Sequence, residues 1–111
     1  NLGKNIVAEI RAEKPLYNPE YIVIGAHYDH LGIRNNQVYN GADDNASGSA
    51  MLLQLARLLN ANSDKINRHI ILIWFDAEEM GLLGSDHFAY NPMFVDTLSD
   101  IKLMINLDMV S

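Results

Sequence analysis

The chain has 111 residues, of which 49% are hydrophobic, and this size and composition predict one small domain spanning residues 1–111. Its 14 acidic and 8 basic residues give a formal net charge of −6, which argues against a nucleic-acid partner because phosphate contacts need clustered Lys and Arg. Cysteine is absent, so disulfides and thiolate metal sites are excluded, and any metal must be bound by His, Asp, Glu and water. No apolar run approaches the roughly 20 residues that cross a membrane, so we expect no membrane association.

Two strands are predicted before the first polar cluster. Residues 5–13 alternate apolar and polar side chains, which is typical of a half-buried strand at or near a sheet edge. Pro15 and Pro19 mark a turn, and the continuous apolar run at 21–26 is typical of a strand covered on both faces. Since only a turn separates them, we expect these two strands to pair as a hairpin. A polar loop is predicted at 34–37.

The segment 40–48, Asn-Gly-Ala-Asp-Asp-Asn-Ala-Ser-Gly, brings a pair of carboxylates to the start of a predicted helix. We expect Asn45 or Ser47 to cap this helix and Asp44 to lie beside its amino end, where the helix dipole favours the ionised carboxylate. Taken alone, such a loop is equally well explained as an ordinary turn and cap. The helix is indicated by apolar residues at helical spacing: Ala50, Met51, Leu52, Leu55, Ala56, Leu58 and Leu59.

The second half of the chain predicts two further strands. Residues 68–75 are the most hydrophobic segment and should lie at the sheet centre, joined to the preceding strand by a right-handed parallel crossover. Residues 82–90 predict a helix, 93–100 a second short helix or turn, and 101–108 another buried strand. The pattern therefore predicts an α/β fold with a mixed, largely parallel sheet and flanking helices.

Ionisable side chains lie directly after the ends of the predicted strands. One further ionisable side chain lies at the start of the crossover helix. Because the carboxyl ends of parallel strands share one edge of a sheet, we expect these groups to converge. Each alone has an ordinary explanation as a turn, cap or satisfied polar residue, but two adjacent glutamates after a buried strand are costly unless a cation compensates them. The residues are His27, Asp44, Asp76, Glu78, Glu79 and Asp108.

The predicted donors suit a catalytic metal centre. One imidazole and several carboxylates favour zinc or a similar divalent ion. If Asp44 contacts two ions, the ions would lie about 3.5 to 4 Å apart and would acidify bound water towards a pKa of about 7. One member of the Glu78–Glu79 pair is then placed to accept a proton from that water while its neighbour binds metal. The predicted reaction class is metal-assisted hydrolysis.

Four stretches, at 25–30, 41–48, 76–85 and 106–109, together resemble the M28 family of zinc aminopeptidases. The match is ordered and runs from about Asn5 to the last residue. The resemblance implies a zinc exopeptidase fold of the phosphorylase/hydrolase-like type. It also implies a peptide substrate, hydrolysis of the amino-terminal peptide bond by metal-activated water, and a secreted or periplasmic location.

The resemblance also implies a metal-binding role for four residues. His27 and Asp108 resemble the ligands private to one zinc ion. Asp44 resembles the ligand that bridges the two ions, and Glu79 resembles a ligand of the other ion. Two zinc ions are therefore implied for a complete catalytic domain.

Three further positions match the family around those ligands. Glu78 resembles the general base that accepts the proton of the nucleophilic water. Asp29 resembles the acid that orients His27, a role that makes physical sense because a ligating imidazole needs its other N–H bound. The peptide bond Asp44-Asn45 matches one that is cis in the family.

The chain also departs from the family. A fifth ligand, a His, and the residues that cradle the substrate amine and oxyanion lie downstream of the position matched by Asp108, whereas this sequence stops at Ser111. We therefore expect a truncated domain with one complete zinc site and little or no activity alone. None of His30, His69 and His87 matches the place of the missing ligand. An exposed sheet edge and half-built cleft favour self-association or a complementing fragment.

Two alternatives remain at this point. One is a single-zinc acyltransferase similar to glutaminyl cyclases, which shares the fold, although the stretches 43–48 and 77–81 look more like the peptidase. The other is a non-catalytic binding module that kept the fold. The specificity for substrate side chains, the choice between amino- and carboxypeptidase, and the oligomeric state are not determined by these residues.

Overall fold

A four-stranded sheet, in the order β1-β5-β2-β6, organises the structure, which is a computed structural model describing residues 3–111. The strands are β1 (Ile6–Ile10), β2 (Tyr21–His27), β3 (Gly32–Arg34), β4 (Gln37–Tyr39), β5 (His69–Phe75) and β6 (Ile101–Asn106), and the helices are α1 (Gly48–Ala61) and α2 (Leu83–Tyr90). Strand β2 pairs in parallel with both β5 and β6, whereas β1 pairs antiparallel with β5. The predicted mixed, largely parallel sheet is confirmed.

Strand β5 lies at the sheet centre, as its hydrophobicity predicted, and all of its residues are buried. Because successive side chains of a strand point to opposite faces, β5 contributes to two cores. One core contains Leu52 of α1, and the other contains Phe88 of α2, so the helices cover opposite faces. The β5 residues of the α1 core are Ile70, Leu72 and Trp74, and those of the α2 core are Ile71, Ile73 and Phe75.

The predicted hairpin between β1 and β2 is wrong, because β5 lies between these two strands. Ile6 of β1 is opposite Trp74, and Tyr21 of β2 is opposite His69. A strand as apolar as β5 is most stable with a strand on each side of it, because its apolar side chains are then removed from water. Strand β1, whose Ile6 is exposed, takes the edge position that its alternating pattern predicted.

Strand β6 was predicted to be buried, and this is also wrong. It forms the opposite edge of the sheet and is hydrogen-bonded to β2. Leu103, Met104 and Ile105 are 49, 44 and 39% exposed, because in the described part of the chain the hydrophobic cores reach the outer strand only at Ile101. The strand ends at Asn106, so Asp108 lies in the segment that leaves the sheet.

Two shorter elements differ from the predictions. The predicted polar loop at 34–37 is the turn of an exposed β3–β4 hairpin, in which Asn35 and Asn36 have φ of 53° and 60°, as a type I′ turn requires. Within 93–100 the regular structure is a 3₁₀ turn at Leu98–Asp100. Among the described residues, no helix combines the length and apolar character that crossing a membrane requires.

Asp76, directly after β5, holds the amino-terminal segment against the sheet through hydrogen bonds. Its carboxylate accepts the backbone N–H groups of Lys4 and Ala77, both at 2.8 Å. The N–H of Asp76 donates to Asn5 Oδ1 at 3.1 Å, and Asn5 Nδ2 donates to the carbonyl oxygen of Gly84 at 2.7 Å. The Lys4 N–H in particular lowers the pKa of Asp76, outweighing the opposing effect of partial burial.

Asp76→Asn should therefore lower the free energy of unfolding at pH 7 by about 1 kcal/mol. The folded pKa lies below the ordinary value of 3.8, so the stabilisation by this carboxylate is present above that value and is lost as pH falls through the folded pKa. In urea unfolding, the difference between Asp76→Asn and the parent chain should shrink from pH 7 to about pH 3. Asp64→Asn, in an exposed loop, is the matched control. If the loss of unfolding free energy in Asp76→Asn were equal at both pH values, the assignment of this role to the Asp76 carboxylate would be contradicted.

Candidate metal centre

The predicted site residues converge beyond the carboxyl ends of β2, β5 and β6. His27 is the last residue of β2, Glu78 and Glu79 lie in the turn after β5, and Asp108 follows β6. Asp44 lies in the irregular helical turn Ala42–Ser47 that leads into α1. The parallel pairing of β2 with both neighbours brings these separate segments to one edge, as predicted.

His27, Asp44 and Asp108 form the first imidazole–carboxylate cluster. His27 is 3% exposed, and its Nε2 lies 3.0 Å from Asp44 Oδ1 and 3.7 Å from Asp108 Oδ1. One donor atom from each of the three residues lies within 4.8 Å of the others, so the three can contact the same ion. Glu78 Oε2 is 4.0 Å from the same His27 nitrogen and therefore borders the cluster.

His30, Asp44 and Glu79 form a second cluster with the same kind of donors. His30 Nδ1 lies 2.8 Å from Glu79 Oε1. Asp44 belongs to both clusters, and a carboxylate shared in this way is what a two-ion centre requires. The sequence placed Glu79 and Asp44 in the site, whereas His30 did not match the place of the missing ligand.

The contacts of His27 define which of its nitrogens can bind a metal. Its Nδ1 lies 3.1 Å from the backbone carbonyl oxygen of Asp29, which can only accept, so Nδ1 carries the proton and the Nε2 lone pair faces Asp44 and Asp108. Burial alone would lower the pKa of His27, but the charges of Glu78, Asp108 and Asp29, with the bond to Asp29, outweigh it and raise this pKa.

The Asp29 carboxylate holds the turn that carries the two glutamates. Its Oδ1 accepts the backbone N–H of Glu78 at 2.9 Å, and its Oδ2 accepts the backbone N–H of Glu79 at 3.2 Å. Asp29 Oδ1 is also 3.6 Å from His27 Nδ1, farther than the carbonyl oxygen of the same residue. Asp29 thus contacts His27 mainly through its backbone and the glutamate turn through its side chain.

Glu78 borders a cavity of about 190 Å³ together with His27 and Asp108. Burial raises the pKa of Glu78, and the neighbouring carboxylates of Glu79, Asp108 and Asp29 act in the same direction, whereas His27 opposes them. A carboxylate with a raised pKa that faces a cavity is suited to proton transfer.

Asn45 links the two backbone segments that carry Asp44 and Asp108. Its Oδ1 accepts the backbone N–H groups of Gly48 at 3.1 Å and Met109 at 3.2 Å, and its Nδ2 donates to the carbonyl oxygen of Leu107 at 2.8 Å. Asn45 therefore caps α1, and it is one of the two residues that the sequence predicted for this cap. The other candidate, Ser47, donates to the carbonyl oxygen of Asp43 at 2.6 Å instead. The Asp44-Asn45 peptide is cis, as the resemblance implied.

Three other singled-out residues lie outside the two clusters. Asp76 binds the Lys4 backbone, as described above. His69 is buried in the sheet, where its Nδ1 accepts the Ala12 N–H at 3.1 Å, so it has a core role. His87 lies on the exposed side of α2.

The donor set fits zinc. Five carboxylates surround two imidazoles, so the site carries a negative charge that a divalent cation would compensate. His30 Nδ1 and Glu79 Oε1 are shielded from solvent, and within residues 3–111 neither has a hydrogen-bond partner of acceptable geometry. Imidazole with carboxylate, without thiolate, is a usual ligand set of catalytic zinc.

Solved structures share this architecture. BSAP, a zinc aminopeptidase from Bacillus subtilis, matches with a TM-score of 0.75 and 35% identity, covering 96% of this chain and 24% of that chain. A glutaminyl cyclase from Porphyromonas gingivalis matches with a TM-score of 0.77 and 27% identity, covering 97% of this chain and 41% of that chain. The fold is that of the zinc exopeptidases.

Sequence comparison identifies the family to which the chain belongs. Aminopeptidase YwaD from Bacillus subtilis (strain 168) is 39% identical over 114 residues, covering 97% of this chain and 22% of that relative. A profile of peptidase family M28 matches residues 5–111, and the chain belongs to this family. The predicted family and fold are thereby confirmed. The chain spans about a quarter of the length of the Bacillus aminopeptidase sequence and structure that it matches.

Proposed function

We propose that this chain provides the metal-binding and water-activating part of a zinc aminopeptidase. The observation that carries the proposal is that Asp44 is shared by two imidazole–carboxylate clusters, with Glu78 at their border. The relatives named as aminopeptidases support the same reaction.

Four residues hold the ions in this proposal. His27 and Asp108 would hold one zinc ion, Glu79 would hold the other, and Asp44 would contribute to both sites. When bound, zinc lowers the pKa of water and polarises the scissile carbonyl group. Asp29 keeps His27 in the required tautomer through its carbonyl oxygen and positions the glutamate turn through its carboxylate.

Glu78 transfers the proton of the attacking water in this proposal. Its carboxylate accepts a proton from the attacking water, and its raised pKa brings its proton affinity closer to neutral pH, where proton transfer is most effective. The reaction then delivers this proton to the amino group that leaves the cleaved peptide bond.

Cyclisation of amino-terminal glutamine by a single zinc ion is the alternative that the structural neighbours keep open. A single-zinc site would use only one of the two clusters and would leave the other without a metal ion. The pairing of His30 with Glu79 around the shared Asp44 therefore favours the two-ion peptidase. A secreted or periplasmic location stays a prediction.

Zinc content tests the metal centre directly. After equilibration with excess zinc and removal of unbound metal, the parent chain should retain zinc, and Asp44→Ala should retain none because it removes a donor from both clusters. Asp43→Ala is the matched control, since the neighbouring carboxylate contacts Ser47 and Ser111 instead. Equal zinc content in the parent chain and Asp44→Ala would contradict the proposal.

The reaction can be tested in a chimera of BSAP in which this chain replaces the matched segment. We expect the chimera to release the amino-terminal residue from leucine p-nitroanilide and not to cyclise a peptide with amino-terminal glutamine. A folded, zinc-loaded chimera that cyclises glutamine, or that performs neither reaction, would contradict the aminopeptidase assignment.

A further inference from the structure

We infer that Asn40 is a modification site, at which the side-chain amide deamidates spontaneously through the backbone nitrogen of Gly41 and the isoaspartate product weakens metal binding nearby. The modification needs only water and does not depend on the proposed function. Its effect on metal binding rests on the proposed function.

Asn40 precedes a glycine, and Asn40-Gly41 is the only Asn-Gly pair in the sequence. After every other asparagine, a side chain or a proline ring hinders the approach of the amide carbon to the next backbone nitrogen. Glycine has no Cβ atom, so this approach is open at Gly41. The Asn40 side chain is exposed, so water and hydroxide reach its amide.

The backbone nitrogen of Gly41 is available for the reaction. Strand β4 ends at Tyr39 and the irregular helical turn begins at Ala42, so Gly41 lies between two hydrogen-bonded elements. Its carbonyl oxygen accepts the Ala46 N–H at 3.0 Å, but within residues 3–111 its own N–H donates no hydrogen bond. Asn45 differs, because its amide is buried and makes three hydrogen bonds.

The reaction is a ring closure followed by hydrolysis. The Gly41 nitrogen gives up its proton to hydroxide and bonds to Cγ of Asn40. The bond from Cγ to the amide nitrogen then breaks, and ammonia leaves with a proton from water. Water opens the resulting succinimide at one of its two carbonyl groups, which gives either aspartate or isoaspartate. Nothing is oxidised or reduced, and the net change consumes one water and releases one ammonia.

Isoaspartate matters here because it adds a methylene group to the backbone directly before Gly41, which has little room to move. Gly41 has φ of 65°, and a Cβ atom on it would lie 2.7 Å from the carbonyl oxygen of Asp44 and 2.7 Å from Cγ of His30. A longer backbone therefore displaces the turn that carries Asp44, which belongs to both clusters. Ordinary aspartate keeps the backbone length and adds only a charge on an exposed side chain.

The test follows the zinc-free chain during incubation at mildly alkaline pH by mass spectrometry of its peptides. The fragment with Asn40 should gain about 1 Da as its amide becomes a carboxyl group, and isoaspartate methyltransferase should label it. Asn36, which is exposed and precedes Gln37, is the internal control and should keep its amide while half of the Asn40 amides react. Asn40→Gln should abolish the mass gain, because the longer side chain closes a ring far more slowly.

Zinc titration of the separated products tests the effect on the metal centre. The isoaspartate form should bind zinc about 10- to 100-fold more weakly than the fresh parent chain, whereas fresh Asn40→Asp should bind like the parent. Circular dichroism establishes that each form is folded.

The outcomes separate this inference from the proposed function. No mass gain at Asn40, or an equally fast gain at Asn36, would overturn the modification site. Unchanged zinc affinity in the isoaspartate form, or an equal loss in Asn40→Asp, would overturn the effect of the longer backbone. If the fresh parent chain bound no zinc, the proposed function would be overturned together with the effect that rests on it, while the peptide masses would still decide whether Asn40 is modified.

Discussion

Replacing Glu78 by glutamine is expected to lower kcat of the BSAP chimera by about 10²- to 10⁴-fold, because glutamine cannot accept the proton of the attacking water. The substitution keeps the size of the side chain, and Glu78 is outside both metal clusters, so the zinc content should not change. KM should change little, since the lost contribution is made mainly in the transition state. The measurement is steady-state hydrolysis of leucine p-nitroanilide alongside zinc content.

Glu13→Gln is a suitable control for the Glu78 experiment, because Glu13 is exposed and its carboxylate contacts Ser63 far from the metal centre. It should leave kcat unchanged. If Glu78→Gln retained both zinc and the parental kcat, Glu78 would not be the general base. If Glu78→Gln lost zinc, the carboxylate would instead be a ligand.

Asn45→Ala is expected to cause the largest loss of stability, about 2 to 4 kcal/mol in the free energy of unfolding. The truncation leaves the N–H of Gly48 and the carbonyl oxygen of Leu107 without the side chain that pairs with them. Asn45 is itself 2% exposed, so water cannot readily replace the lost bonds. Because these bonds join the segments of Asp44 and Asp108, zinc affinity should fall as well.

Urea unfolding of the zinc-free chain measures the Asn45 effect without a contribution from bound metal. Asn62→Ala is the matched control: Asn62 also donates a hydrogen bond through Nδ2, to the carbonyl oxygen of Leu58, but this bond is exposed. The control should lose no more than about 0.5 kcal/mol. A loss for Asn45→Ala that is no larger than that of the control would show that the three bonds contribute little.

The clustering of His27, Asp44, Glu78 and Asp108 was predictable because it follows from rules that hold for any parallel sheet. An apolar strand, a crossover helix and a second apolar strand place both carboxyl ends at one edge. Local composition was sufficient to locate these strands and α1, so the residues that end them could be placed together without knowing the strand order.

The strand order itself could not be predicted, because it depends on pairings between residues far apart in the sequence. The turn after β1 favoured a hairpin with β2, yet β5 lies between them. The exposed position of β6 is likewise a property of the sheet as a whole, since its apolar sequence is typical of a central strand.

The sequence alone therefore determined the α/β class, the M28 relationship and the residues at the ends of β2, β5 and β6. Only the tertiary structure decided that His30 meets Glu79 and that Asn45 joins the two ligand-bearing segments. The physical reason is that periodicity and spacing specify where an element begins and ends, whereas a contact between two loops depends on how closely their backbones approach. Here that approach depends on the missing side chain of Gly41 and on three hydrogen bonds of one buried amide.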